Sequence, residues 1–207
     1  MRAWWQRTAL VLVAPRPVFV ALRDEDADDV SARSEPVLLI VLLAGMAFVL
    51  STRTAAHLLD DNDYDGLLVA VWTFLAGSLY GAVAFWGLGA LLHGSVTALG
   101  SQGSYRRSRH LLAFAAVPVA LSLALWPFKL GIYGADLFHR GGADAGVGGK
   151  VFEGLGLSFA AWSLGLLVVG VRSVHGWTWR RSLVGASAPF VASAAVTVLL
   201  SGLHSGH

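Results

Sequence analysis

The chain has 207 residues, of which 56% are hydrophobic and only 14% charged, and its mean hydropathy is +0.64. A soluble domain carries about 25% charged residues, so this composition excludes an ordinary soluble domain and predicts an all-α integral membrane protein. The chain has no cysteine, which excludes disulfides, thiolate metal sites and cysteine nucleophiles. Its formal net charge of only +2 argues against nucleic acid as a partner.

Residues 1–35 are predicted to form a cytoplasmic interfacial segment followed by an acidic linker. Trp4, Trp5 and Arg7 belong to an apolar run that is too short to span a membrane. Indole rings favour the depth of the lipid headgroups and arginines favour anionic headgroups, so we expect an amphipathic segment on the inner leaflet. No small-residue cleavage site follows the run, which argues against a secretory signal. The acidic stretch at 24–29 is predicted to be a solvated linker.

Residues 36–207 are predicted to form a bundle of five transmembrane helices. A helix needs about 20 mainly apolar residues to cross the hydrocarbon core, within a range of roughly 17 to 25. Five uncharged stretches meet this requirement, at residues 36–52, 67–92, 111–128, 154–171 and 182–203. A soluble protein with buried helices would keep a polar stripe on each helix, and these stretches have none.

The distribution of lysine and arginine predicts the orientation. Eleven of these residues precede the first span or lie after the second and fourth spans, against four in the opposite segments. Because positive residues favour the cytoplasmic side, the amino terminus is expected in the cytoplasm and the carboxyl terminus outside the plasma membrane.

The loop before the second span contains a partial cation-binding pattern. From Asp61 the spacing D-x-D-x-D-G matches the opening of an EF-hand loop and includes Asp63 and Asp65. Position twelve of that loop must be a bidentate acid, and here it is Trp72. These three aspartates are therefore weak candidates for metal binding, and a solvated acidic turn is the simpler interpretation. The seven histidines show no i, i+4 pair, so no other metal site and no cofactor are predicted.

Small residues and prolines within the spans predict how the helices pack. Gly77 and Gly81 are four residues apart, so they lie on the same face of a helix and let two helix backbones approach closely. We expect them to pack within the bundle rather than against a second copy. Pro118 lies inside the third span, where it removes a hydrogen bond, and it is expected to produce a fixed kink.

Three short motifs, spread along most of the chain, together resemble one known family. APRPVFVALRD precedes the first span, a basic loop beginning at Gly103 enters the proline-bearing third span, and a Gly-x-Arg-x-x-His-Gly turn starting at Gly170 precedes the last span. Together they resemble the Yip family, the Ypt/Rab GTPase-interacting proteins. The residues that carry the resemblance or the expected packing are Gly77, Gly81, Gly103, Tyr105, Pro118, Gly170, Arg172, His175 and Gly176.

The resemblance implies a five-span bundle with a cytoplasmic amino terminus. Eukaryotic members of the family are associated with Rab GTPases and vesicle traffic. The preference of this chain for arginine over lysine is typical of a GC-rich, bacterial genome, so that role is not carried over to it.

The predicted function is that of a non-enzymatic membrane protein that organises lipid or protein partners at the cytoplasmic face. Anionic lipids of the inner leaflet are the expected partners, together with another membrane protein or a second copy of the chain. The predicted contact residues are Trp4, Trp5, Arg7, Arg106, Arg107, Arg180 and Arg181.

The alternative is a transporter or channel for a small solute. It requires a continuous polar cavity lined by residues such as Thr73, Ser78 and Tyr80. The spans carry no acid or base at mid-membrane, where an ion-coupled transporter would more often place one. The HExxH and GxSxG patterns of hydrolases do not occur in the sequence.

Overall fold

The computed structural model describes residues 2–23, 34–52, 54–60, 65–142 and 146–204. Within these ranges the backbone alone is described for residues 2–5, 34–36 and 192–204. The acidic linker and two of the three candidate metal-binding aspartates, Asp61 and Asp63, lie outside the described residues.

Helices make up the described ranges, which contain no strand. The α-helices are α1 (Arg2–Val13), α2 (Pro15–Ala21), α3 (Ser34–Leu50), α4 (Gly66–Ala98), α5 (Tyr105–Ala115), α6 (Val117–Ser122), α7 (Leu125–Tyr133), α8 (Val147–His175) and α9 (Trp179–His204). Short 3-10 helices, Ala55–His57 and Gly134–Phe138, lie before α4 and between α7 and α8. The prediction of an all-α protein is confirmed.

Three helical segments of the described chain are long and apolar enough to cross a membrane. They are Gly66–Ala98, Tyr105–Phe138 and Val147–His175, whereas Val37–Leu50 is apolar but shorter. Large apolar side chains are exposed on the outside of these helices, and Leu79 is 67% exposed. Such a surface is stable in lipid, because each helix forms its backbone hydrogen bonds internally and presents only apolar side chains to the hydrocarbon. The chain is therefore a membrane protein.

The predicted third span, residues 111–128, is three consecutive helices in the structure. Helix α5 begins earlier, at Tyr105, because the Ser104 hydroxyl accepts a hydrogen bond of 3.2 Å from the Arg107 N–H and caps the first turn. The first break falls at Ala116, directly before the Val117–Pro118 start of α6, and Pro118 is fully buried there. Proline has no N–H for the preceding turn, which accounts for the position of this break.

Glycines allow α3 and α4 to approach closely. A Cβ atom on Gly45 would overlap the carbonyl oxygen of Gly77, and one on Gly81 would lie 2.5 Å from the carbonyl oxygen of Val41. The two helix backbones therefore lie in direct contact, as at other small-residue interfaces in membranes, and no larger residue fits at these positions. Gly77 and Gly81 thus pack inside the chain.

The amino-terminal segment forms α1 and α2, and α2 packs against α8. Phe19 is fully buried, and its ring covers Gly170, where a Cβ atom would lie 3.1 Å from the ring carbons. Val11 is also fully buried. The segment is therefore anchored in the bundle by its apolar face.

A second contact region joins the segment before α4 to the segment after α7. It lies at the end of the bundle opposite the loop between α4 and α5. Asp60 accepts a 2.7 Å hydrogen bond from the Arg140 N–H, and Leu59 donates one of 3.0 Å to the Phe138 carbonyl. Leu59 and Phe138 belong to a small apolar cluster beneath this contact. Much of the segment around these contacts is helical, because α7 and the following 3-10 helix continue to Phe138 and α8 begins at Val147.

Candidate functional site

The loops that follow α4 and α8 meet at one end of the bundle. The Ser101 hydroxyl lies 3.1 Å from Nδ1 of His175 and accepts a 3.0 Å hydrogen bond from the Gly103 N–H. Gly176 ends α8 with a φ of +64°, a left-handed conformation that glycine adopts without strain and that turns the chain toward α9. The two motif segments singled out in the sequence are thus joined by hydrogen bonds.

His175 lies beyond the membrane-spanning part of α8. The predicted fourth span covers residues 154–171, so Arg172 and His175, in the last turn of this 29-residue helix, follow that span. The His175 ring stacks on Trp177, with centroids 4.7 Å apart. Burial, together with the nearby positive charges of Arg107 and Arg181, lowers the pKa of His175 to about 4. The imidazole is therefore neutral at neutral pH.

Arg181 connects α9 to the end of α4. Its guanidinium carbon lies 4.3 Å from the centre of the Trp177 ring, and its Nη2 donates a hydrogen bond to the Leu99 carbonyl. The Ser95 hydroxyl donates a 2.8 Å hydrogen bond to the Gly185 carbonyl one turn away. These contacts hold the first turns of α9 against α4, while the Arg181 side chain remains exposed.

Arg172 makes a similar contact on the other side of the turn. Its guanidinium carbon lies 4.5 Å from the centre of the Trp179 ring. Its Nε is buried without a hydrogen-bond partner within the described chain. Cation–π contacts of this kind contribute about 0.5–1 kcal/mol each at exposed sites, so they orient the arginines without neutralising them.

Arg109 was not singled out by sequence reasoning, although it lies in a run of three arginines. Its guanidinium carbon lies 4.6 Å from the centre of the Tyr105 ring and 5.2 Å from that of Phe85. Tyr105 donates a 2.8 Å hydrogen bond to the Trp86 carbonyl. The Arg109 stem crosses α4 at Gly89, where a Cβ atom would lie 2.5 Å from Cγ of Arg109. No local signal in the sequence pairs Arg109 with Gly89, because the contact forms only when α4 and α5 pack together.

Four of the predicted contact arginines lie on the connected loops or the adjoining helix ends. Arg106 and Arg107 are half-buried in the first turn of α5, whereas Arg180 and Arg181 are exposed in the first turn of α9. We call these four residues the basic face. Neither loop sequence, 99–110 nor 172–183, contains an acidic residue.

The remaining predicted residues lie elsewhere. Arg7 is half-buried on α1, and Trp4 and Trp5 lie on the same helix, with side chains outside the described part. Asp65 is the amino-terminal cap of α4, where its carboxylate accepts hydrogen bonds of 3.0 and 3.1 Å from the N–H groups of the helix's first turn. Among the described residues no group of three potential metal ligands is found.

An apolar cavity of about 960 Å³ lies between the helices, bounded by α3, α4, α5, α6, α8 and α9. Of its described lining residues, Tyr80 and Ser163 alone carry polar side chains. Thr73 and Ser78, which the transporter hypothesis would place in a polar cavity, do not line it.

The sequence comparisons add one match. A family model described as the Yip1 domain matches residues 9–200, which is nearly the whole chain and includes both connected loops. No curated protein and no solved structure matches the chain.

Proposed function

Because the chain belongs to the Yip1 domain family, we propose that it is a non-enzymatic membrane protein whose basic face binds anionic lipids or protein partners at the cytoplasmic surface. The proposal includes five membrane spans, with α3 and α9 added to the three long apolar segments. Helix α9 has 26 residues, which is enough for a span, and α3 has 17, which is at the short limit.

The proposed orientation places the basic face in the cytoplasm and the contact between Asp60 and Arg140 outside the plasma membrane. Eleven lysine and arginine residues against four support this orientation. The connection between the α4–α5 and α8–α9 loops also supports it, because both loops lie at the same end of the bundle.

The observation that carries the proposal is the arrangement of the four arginines. They lie on two loops that Ser101 and His175 hold together, and no acidic residue of those loops offsets their charge. A cation near an anionic membrane surface contributes about 1 kcal/mol to binding. Four of them therefore form a site of useful affinity for anionic headgroups or for an acidic surface of a protein.

Two features weigh against the rival functions. The cavity is almost entirely apolar, which is unfavourable for the passage of a hydrated solute or ion. His175 is neutral and hydrogen-bonded to Ser101, but the described residues around this pair include no carboxylate that could orient the imidazole as in a catalytic triad.

The test is co-purification of the full-length protein in native lipid discs, followed by mass spectrometry of retained lipids and proteins. Replacing all four arginines of the basic face with Gln should reduce the retained anionic lipid or partner protein, and it should lower the thermal unfolding temperature only slightly, through the lost contacts of Arg181 with Leu99 and Trp177. A matched variant replaces Arg140 and Lys150, two exposed cations at the opposite end, with Gln. Equal retention in both variants would refute the proposal.

A further inference from the structure

The cavity occupies only one half of the bundle. Along α4 its lining begins at Tyr80 and ends at Leu91, about two turns before the helix ends at Ala98 on the side of the basic face. Eleven residue steps at about 1.5 Å each span about 16 Å. The hydrocarbon core of a bilayer is about 30 Å thick, so one leaflet contributes about 15 Å. The cavity therefore has the length of one leaflet, and it lies in the leaflet next to the basic face.

The lining excludes water and favours hydrocarbon. A buried water molecule needs two to four polar partners, and the described lining offers the hydroxyls of Tyr80 and Ser163. The volume of about 960 Å³ is near the upper end of the roughly 300–1,000 Å³ found for ligand pockets. Two lining residues, Val83 and Leu164, are 62% and 47% exposed, so the cavity opens sideways to the lipid.

A cationic group lies beside this cavity, next to the lining residue Phe85. Phe85 lines the cavity, and the guanidinium carbon of Arg109 lies 5.2 Å from the centre of its ring. Arg109 has no acidic partner in the described structure, and its Nε is buried without a hydrogen bond. Nδ1 of His93 is likewise buried and unpaired, and the His93 ring lies 5.9 Å from the ring of Tyr105, which Arg109 also contacts.

An apolar cavity of this length, with a cation beside it that has no acidic partner among the described residues, matches the two parts of an anionic phospholipid. We propose that the cavity binds one acyl chain of an anionic glycerophospholipid from the adjacent leaflet, and that Arg109, with His93 beside it, binds the phosphate. This inference rests on the proposed function, in which anionic lipid is a partner, and it adds a specific lipid site within the bundle. The charge of Arg109 and the one-leaflet length favour this occupant over a helix of a partner protein, which would extend through both leaflets.

The experiment measures retained phospholipid in the full-length protein after delipidation in detergent. Native mass spectrometry should find one bound phospholipid per chain after exchange with an equimolar mixture of phosphatidylglycerol and phosphatidylcholine, with phosphatidylglycerol preferred. A phosphatidylglycerol probe with a photoreactive diazirine in its acyl chain should cross-link to the cavity walls on α4 and α8.

Two pairs of variants test the two halves of the site. Ala160→Phe fills the cavity from an exposed position of α8, and the adjacent Ala161→Phe adds the same ring outside it. The first should reduce retention at least about tenfold, because the ring displaces several methylene groups, and the second should have no effect. Arg109→Gln should lower the preference for phosphatidylglycerol by about fivefold, whereas Arg109→Lys should keep most of it.

The outcomes distinguish this site from the basic face. Retention of the single lipid in the variant that lacks all four arginines of the basic face would support the cavity site, whatever that variant does in co-purification. Equal retention in the Ala160 and Ala161 variants would overturn the cavity site and leave the basic face untouched. Cross-linking of the cavity walls to a polypeptide, with no lipid bound, would also overturn it.

Discussion

The hydroxyl of Ser101 lies 3.1 Å from Nδ1 of His175, across 74 positions of the sequence. This contact joins the loop after α4 to the last turn of α8. Because the same hydroxyl accepts a hydrogen bond from the Gly103 N–H, a single side chain fixes the position of both loops that carry the basic face.

The stability of this contact should depend on pH. The pKa of His175 is about 4 in the folded protein and takes its ordinary value of 6.5 when the chain unfolds. Between these values the unfolded state binds more protons, so stability falls as the pH is lowered from about 7 toward 4 and is level above that range. Thermal unfolding in detergent at pH 7.5, 6 and 5 measures the effect. His175→Gln should flatten the profile, and His139→Gln, at the other end of the bundle, should not. An unchanged slope in His175→Gln would contradict the assignment.

The contact between α3 and α4 should tolerate no added methyl group at Gly45. A Cβ atom there overlaps the Gly77 carbonyl, so Gly45→Ala must separate the helices at a cost of about 1–3 kcal/mol, as overpacking does. Gly87→Ala is the control, because its Cβ would meet no atom within 4 Å. Differential scanning fluorimetry should give a lower unfolding temperature for the first variant alone. A similar temperature for both would mean that the helices are not in backbone contact.

The amino-terminal helices should contribute to the stability of the bundle through Phe19. The side chain is fully buried against Gly170, so Phe19→Ala should destabilise the protein by about 3–5 kcal/mol. Val20→Ala removes apolar atoms from a neighbouring residue that is 39% exposed and should have little effect. Limited proteolysis gives a second measurement, because trypsin cleaves after the exposed Arg16 and Arg23 faster once the backbone of α2 is released from the bundle. Equal stability of the two variants would indicate that the segment does not pack on α8.

Asp65 should act as a helix cap rather than as a cation ligand. Its carboxylate accepts hydrogen bonds from Leu67 and Leu68, so Asp65→Ala should cost about 1 kcal/mol and Asp65→Asn much less, because asparagine caps equally well. Unfolding temperatures measured with and without calcium separate the two roles. A calcium-dependent increase that both substitutions abolish would support the metal site instead.

The orientation can be measured by single-cysteine labelling, because the chain has no native cysteine. Gln102, in the loop after α4, and Ala135, in the 3-10 helix after α7, are exposed at opposite ends of the bundle. In intact cells a membrane-impermeant maleimide should label Ala135→Cys directly and Gln102→Cys only after lysis. The reverse pattern would place the basic face outside the cell.

Composition and local pattern predicted the helical membrane protein correctly. Apolar runs without charge define membrane helices because an unpaired backbone group in hydrocarbon costs several kcal/mol, whatever the neighbouring helices do. The helix bounds were less accurate at the third span. Its start at Tyr105 depends on the Ser104 cap, and its interruption depends on Pro118, and both are local signals that hydropathy alone does not weigh.

The candidate site was predicted only in part. The basic loops and the two motif segments could be read from the sequence, but Arg109 was passed over, because its importance depends on Gly89 and Phe85 on another helix. The amino-terminal segment was predicted from its tryptophans and arginines, whereas the structure adds the burial of Val11 and Phe19. The partner of Phe19 is more than a hundred residues away in the chain, so no local pattern indicates it.

The sequence by itself determined that this protein lies in a membrane, that it is helical and which loops carry the positive charge, because these properties follow from the composition of single segments. The tertiary structure alone decided which helices touch, that Ser101 meets His175, and that an apolar cavity with Arg109 beside it lies between the helices. Those features depend on the distances between segments far apart in the chain. Packing of the helices sets these distances, with close approach possible only where glycines such as Gly45 and Gly89 leave room.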